Sequence, residues 1–263
     1  MSPSSQQARR AAARRRYERY EQRQAQKRRR RQRLQRAGIG VVVLALVAGV
    51  GVWGYSAFLA GDDEPAPEAL PTPSVGTAEG CTDATVVPIA DPQQFEAPKQ
   101  VLGKGPATLT LATNCGDIVI SLDTKNAPNN ANSLAFLAEK GYFDATGCHR
   151  LTTGGLFVLQ CGDPTYSGSG GPGYTVADEN VPADGSYPEG VVAMAEPGGG
   201  EAGSQFFIVF GDTTLPPAYT VVGQVTKGLP AVKRVAELGT AGGAPDGEPA
   251  QPVVIESATV SSG

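Results

Sequence analysis

A run of 23 residues without a charge, Gly38 to Ala60, constrains this chain more than any other feature in it. At about 1.5 Å rise per residue, a helix of that length spans the ~30 Å hydrocarbon core of a bilayer. Trp53, Tyr55 and Phe58 gather at its far end, where amphipathic rings favour the lipid–water interface. Fourteen Lys and Arg lie between Arg9 and Arg36 against only Glu18 and Glu21, and Asp62, Asp63 and Glu64 follow the run. The positive flank belongs on the cytoplasmic side. The sequence therefore predicts a basic cytoplasmic segment at 1–37, a single transmembrane helix at 38–60, and an extracytoplasmic remainder anchored to the cell membrane. A buried core helix and a cleaved signal peptide are the alternatives. Against cleavage, the basic segment is long, no Ala-x-Ala site follows, and the apolar run exceeds the roughly 7–15 residues of a signal sequence. The unbroken basic stretch Lys27 to Arg31 suits anionic lipid headgroups. It lacks a base-reading module, so no nucleic-acid partner is expected.

Beyond Arg36 the balance reverses, and acidic residues outnumber basic ones three to one. Eight prolines between Gly61 and Pro106, with few aromatic residues, read as a semi-extended linker at 61–106. From Ala107 onward the pattern is that of a folded domain, 107–263. Thr108 to Thr113 and Asp117 to Leu122 alternate about the turn Asn114-Cys115-Gly116, which predicts a β-hairpin. Residues 127–140 read as a helix with Pro128 in its first turn and Gly141 at its stop. Short strands are expected at 148–152, 157–161, 191–195, 205–210 and 219–225, a second helix at 229–238, and a last strand at 253–260. The fold class is mainly β: a closed eight-stranded antiparallel barrel capped by two helices.

Four cysteines, Cys81, Cys115, Cys148 and Cys161, all fall in the extracytoplasmic part, where two disulfides with three possible connectivities are expected. Cys148 and Cys161 flank a strand–loop–strand and can face each other across it, which leaves Cys81 for Cys115. A zinc site or a thioredoxin-like redox site does not fit, because no Cys-x-x-Cys occurs and the chain has one His. No metal or cofactor is expected. Gly168 to Gly173 matches Gly-x-Gly-x-x-Gly, but no helix follows to bind a phosphate, so the segment reads as a flexible rim.

His149-Arg150-Leu151, Phe157-Val-Leu-Gln160-Cys-Gly-Asp163, Val192-Ala-Met-Ala195 and Gly203-Ser-Gln-Phe-Phe-Ile208, in that order, resemble the cyclophilin-type peptidyl-prolyl isomerases. Tyr219-Thr-Val-Val-Gly-Gln-Val225 stands where that family has its next strand, and the resemblance covers about residues 107–260. Thr152-Thr-Gly-Gly155 and the paired cysteines look like a bacterial, membrane-anchored subgroup. The resemblance implies acceleration of X–Pro isomerisation in exported proteins by a monomer whose partners are proline-containing polypeptides. Such a bond crosses a barrier of about 18–20 kcal/mol and exchanges unaided in roughly 10–100 s. Nothing is cleaved, so the catalyst needs only an apolar slot for the pyrrolidine ring and a fixed donor for the twisted amide nitrogen. By resemblance Arg150 is that donor and Gln160 orients it. Phe157, Val158, Phe207 and Leu215 would form the slot, with Tyr219 where many members have His. Gln205 and the backbone around Ala195 and Glu196 would hold the peptide. His149 reads as a structural neighbour rather than a base. Glu196 replaces a common Asn, and Thr214 stands where many members have Trp, which puts substrate preference and inhibitor sensitivity in question. The alternative is a peptide-binding module of the same fold with little turnover.

Overall fold

A computed structural model describes residues 77–103 and 105–262. The basic segment, the apolar run and the linker up to residue 76 lie outside the described residues. Among the described residues no helix is long and apolar enough to cross a membrane.

β1 (Ala107–Thr113) and β2 (Gly116–Leu122) form the hairpin, with Thr113 opposite Gly116 across the turn. α1 (Pro128–Glu139) follows, then β3 (Thr146–Gly147), β4 (Arg150–Thr152) and β5 (Val158–Cys161). A stretch of short pieces comes next: β6 (Val176–Ala177), β7 (Ser186–Tyr187), β8 (Val191–Met194), β9 (Glu201–Ala202), β10 (Phe206–Val209) and β11 (Thr213–Thr214). β12 (Val221–Lys227), α2 (Leu229–Glu237), β13 (Asp246–Gly247) and β14 (Val254–Ser262) complete the order.

The eight strands of three or more residues lie in the unbroken hydrogen-bonded order β4-β5-β10-β8-β12-β2-β1-β14, and every pairing is antiparallel. The expected closed ring of eight is not what forms. β13 adds beside β4 and β3 beside β14, giving a ten-stranded sheet with two ends. The reason lies in the chain path. β3 pairs with β14, and only Cys148 and His149 separate it from β4, so covalent chain rather than a ladder joins the two ends. The Cys148–Cys161 disulfide ties that corner to the end of β5, and Cys81–Cys115 ties the N-terminal arm to the hairpin turn.

Side chains along a strand alternate between faces, and here both faces are apolar. Leu151, Leu159, Cys161, Val192, Met194, Phe206, Ile208 and Val222 turn into the main core with both helices. Val158, Val191, Ala193, Phe207 and Val209, one residue out of step, build a second cluster on the opposite face with Tyr187. α1 buries Ala131, Leu134, Leu137 and Ala138 and lacks a local side-chain cap. Its first amides are satisfied from 50 residues away: the Glu179 carboxylate accepts from the Asn129 and Asn130 backbone N–H groups at 3.1 and 3.0 Å. A negative group there answers both the orphan donors and the helix dipole.

Residues 77–103 form neither helix nor strand, yet they lie against the domain. Phe95 packs edge-on with Phe136 and Tyr142, and its N–H donates to the Pro172 carbonyl at 2.7 Å. The Asn132 side-chain oxygen accepts from the N–H groups of Val101 and Leu102. Gly162, at the end of β5, has φ +89, and an added Cβ would collide with the Ser204 carbonyl oxygen, so the tight turn toward Asp163 requires glycine there.

Candidate active site

The register of the second face lines up a single row across five strands. Arg150 on β4 lies opposite Gln160 on β5, Gln160 opposite Phe207 on β10, Phe207 opposite Ala193 on β8, and Ala193 opposite Val221 on β12. Sequence positions far apart thus become neighbours at the ~4.8 Å strand spacing. Beside this row lies a cleft of about 140 Å³ lined by Arg150, Gln160, Val158, Phe207, Leu215 and Tyr219, together with Leu156, Ala195 and Glu196. Buried Tyr187 supports it: its hydroxyl donates to the Tyr219 carbonyl at 2.9 Å and accepts from the Tyr219 N–H at 3.1 Å. Phe207 meets the Tyr219 ring edge-on at 5.5 Å.

Arg150 is held from two sides. Its Nε and Nη2 donate to the two oxygens of Asp246 at 2.8 Å each, and its Nη1 donates to Gln160 Oε1 at 3.2 Å. The contact with Asp246 keeps the guanidinium charged beyond its already high ordinary value and draws the Asp246 carboxyl below the usual carboxylate range.

From Gln160 a relay continues inward. Gln160 Nε2 donates to Gln205 Oε1 at 2.9 Å, and Gln205 Nε2 donates to the Gly170 carbonyl at 3.0 Å. Gly170 N–H in turn donates to the fully buried Asp163 carboxylate at 3.1 Å. A Cβ on Gly170 would fall on that carboxylate, so only glycine lets the two approach. Burial pushes the Asp163 carboxyl up, but hydrogen bonds from the Thr165 hydroxyl and the N–H groups of Gly170 and Thr165 outweigh it and leave it lowered. The Gly-rich rim expected to be flexible is thus fastened by this carboxylate, and β6 rather than a helix follows it.

Across Gln160, Ala195 and Glu196 the cleft adjoins a larger cavity of about 530 Å³, walled by the rim, by Gln205 and by Gln94 of the N-terminal arm. Gln94 Nε2 donates to the Gly171 carbonyl at 3.1 Å. The Glu196 carboxylate accepts from Gly200 N–H at 2.9 Å, and Ala195 N–H donates to the Gln205 carbonyl at 2.9 Å. Burial, with the charges of Glu196 and Glu201, raises the nearby Asp178 carboxyl.

Eight of the ten residues expected at the site therefore line one cleft. Gln205 reaches it through Gln160. Phe157 does not line it; its ring packs edge-on against Phe210 at 6.0 Å, and Leu156 takes the wall position. His149 lies outside the cleft lining, buried edge-on against Tyr166, with neither ring nitrogen hydrogen-bonded. Burial lowers its pKa, so the ring is neutral at physiological pH. Sequence reasoning missed Asp246, Leu156 and Tyr187. Leu156 was adjacent to a quoted motif, whereas Asp246 sits in a Gly/Pro-rich stretch with no periodicity to single it out.

Chemically, the cleft offers apolar surface for a small ring and a guanidinium fixed at its edge. A preorganised donor aimed at charge that develops only in the transition state typically contributes about 2.7–4 kcal/mol, a factor of about 10²–10³ in rate. Among the described residues no group of His, Cys, Asp and Glu is arranged to hold a metal ion.

The family model described as cyclophilin type peptidyl-prolyl cis-trans isomerase/CLD matches residues 108–260. A probable peptidyl-prolyl cis-trans isomerase B of Mycobacterium leprae is 42% identical over 190 residues, covering 66% of this chain and 63% of the relative. Its counterpart in Mycobacterium tuberculosis is 40% identical, with 66% and 60% covered, so the chain spans about three fifths of the length of both. Peptidyl-prolyl cis-trans isomerase A of Mycobacterium tuberculosis is 39% identical over 176 residues, 59% of this chain and 92% of that protein. A crystal structure of a cyclophilin type peptidyl-prolyl cis-trans isomerase from Cryptosporidium parvum shares the fold, with a TM-score of 0.51 at 24% identity over 60% of this chain and 99% of the other.

Proposed function

The chain belongs to the cyclophilin-type peptidyl-prolyl cis-trans isomerases, and on that premise we propose that it accelerates X–Pro isomerisation in exported proteins and so assists their folding. The observation that carries the reading is Arg150, anchored by Asp246 and Gln160 at the edge of an apolar cleft. Leu156, Val158, Phe207 and Leu215 receive the pyrrolidine ring. As the amide twists, conjugation is lost and its nitrogen regains a lone pair, which an Arg150 N–H stabilises. The substrates are proline-containing polypeptides, and the enzyme acts as a monomer.

The setting belongs to the same proposal. The 23 uncharged residues from Gly38 to Ala60 anchor the protein in a bacterial cell membrane, as in the membrane-anchored subgroup. The basic segment before them stays in the cytoplasm against anionic lipid. Two disulfides support an oxidising compartment for the domain.

Arg150→Ala tests the reading. It is expected to lower kcat/KM on a proline-containing peptide by about tenfold or more while circular dichroism stays unchanged. Unaltered turnover would remove Arg150 from the mechanism, and absence of turnover in the parent would leave a peptide-binding module.

A further inference from the structure

We propose that Asp246 is a positioning residue of the isomerase site, fixing the plane of the Arg150 guanidinium and thereby selecting the N–H groups that meet the substrate amide. The inference rests on the isomerase reading and extends it to a residue 96 positions from Arg150 in sequence. An arginine side chain has four rotatable bonds, and a catalytic donor must be held to within about 0.5 Å and 10–20°. Gln160, with one bond of 3.2 Å, leaves the guanidinium free to rotate about that contact. Asp246 removes the freedom, because two parallel bonds of 2.8 Å to Nε and Nη2 define a plane. Of the five guanidinium N–H groups, these contacts occupy one on Nε, one on Nη2 and one on Nη1. One N–H on each of Nη1 and Nη2 remains for a substrate.

Asp246 is itself braced. β13 pairs with β4 so that Asp246 lies opposite Thr152 and Gly247 opposite Leu151, which makes Arg150 its diagonal neighbour. Thr153 N–H donates to the Pro245 carbonyl at 2.9 Å, and the Thr240 hydroxyl donates to the Ala244 carbonyl at 2.6 Å. Asp246 is not among the residues lining the cleft, so it acts through Arg150. Both partners are well exposed, with side-chain accessibilities of 39% and 56%, and ion pairs of that exposure add little to stability. A purely structural role would therefore leave hardly any trace in activity, which separates the two roles by experiment.

The test compares the purified full-length chain with Asp246→Asn and Asp246→Ala, each also in an Arg150→Ala background. kcat and KM for a proline-containing peptide and the melting temperature are measured for all. Asp246→Ala is expected to lower kcat by about fivefold or more with KM little changed. Asp246→Asn, which keeps part of the hydrogen bonding, should fall between it and the parent, and melting should hardly shift. In the Arg150→Ala background Asp246→Ala should have no further effect. An unchanged or raised kcat for Asp246→Ala overturns the proposal, a rise meaning that Asp246 competes with substrate for Arg150. An equal loss in both backgrounds overturns it too. Absence of turnover in the parent chain would sink the isomerase reading and this inference with it, whereas an active parent beside an indifferent Asp246→Ala sinks only the inference.

Discussion

Replacing the Cys148–Cys161 bond by a pair of alanines should weaken both the fold and the catalyst, while the same replacement at Cys81–Cys115 should weaken the fold alone. The bonds close segments of 13 and 34 residues. Loop-closure entropy at 25 °C then gives about 2.9 kcal/mol for the first and about 3.8 kcal/mol for the second. On stability alone the longer loop is the costlier loss. Catalysis should reverse the ranking. Cys161 follows Gln160 directly and Cys148 precedes Arg150 by two residues, so this bond lies one step beyond the Arg150–Gln160 pair and locks its register. Cys81–Cys115 joins the arm to the β1–β2 turn and neighbours no cleft residue. Urea unfolding of the parent and the two double-alanine variants measures the stabilities, and isomerisation of a proline peptide well below the melting range measures turnover. The expected result is a smaller stability loss but a severalfold lower kcat/KM for Cys148→Ala/Cys161→Ala. Full turnover in that variant, or a stability loss under about 1 kcal/mol, would refute the idea that the bond clamps the catalytic strands.

Tyr187→Phe removes the hydroxyl that both donates to and accepts from the Tyr219 backbone, and should cost about 1–3 kcal/mol of stability with a raised KM; urea unfolding and peptide kinetics check both. His149, the only histidine of the chain, has a folded pKa below its ordinary value near 6.5, so the unfolded state takes up its proton first as pH falls. Its contribution to stability is complete above about pH 6.5 and is lost as pH drops through that value toward the folded pKa. Melting curves from pH 7.5 to 5 should fall for the parent and flatten for His149→Phe; identical slopes would contradict the assignment.

The eight longer strands were readable because each is a short run with a period of two or a solid apolar block, whereas the six two-residue strands were not. Val191-Val192-Ala193-Met194 buries all four residues, and only the assembled sheet shows that alternate members serve different clusters. The first helix was readable from Pro128 and Gly141, and the structure trims both expected helices, 127–140 and 229–238, by a residue or two. Arg150, Gln160 and Phe207 were recognisable through a family resemblance, but their common row is a property of register. Asp246 was invisible because a two-residue strand has no pattern, and what fixes it is a partner 96 residues away. Closure of the barrel was overcalled for a similar reason. Counting strands gives eight, but β14 pairs with the short β3 and not with β4, because the chain turns a corner at Cys148 and His149 between the two.

With the cleft lined from one face of β4, β5 and β10 and the core packed on the other, this domain has unequal tolerance for two kinds of mutation. A point exchange at Val158, which lines the cleft, reshapes it and leaves Leu159, Val192 and Val222 in the core on the opposite face, so new substrate preferences should be reachable one codon at a time. Insertion or loss of a single residue within β5 or β10 is another matter. It would rotate Gln160 or Phe207 toward the main core and turn Leu159 or Ile208 onto the cleft face, disrupting both clusters at once. Lineages of such a domain should therefore keep the lengths of these strands frozen, and length variation should collect in the loops between them.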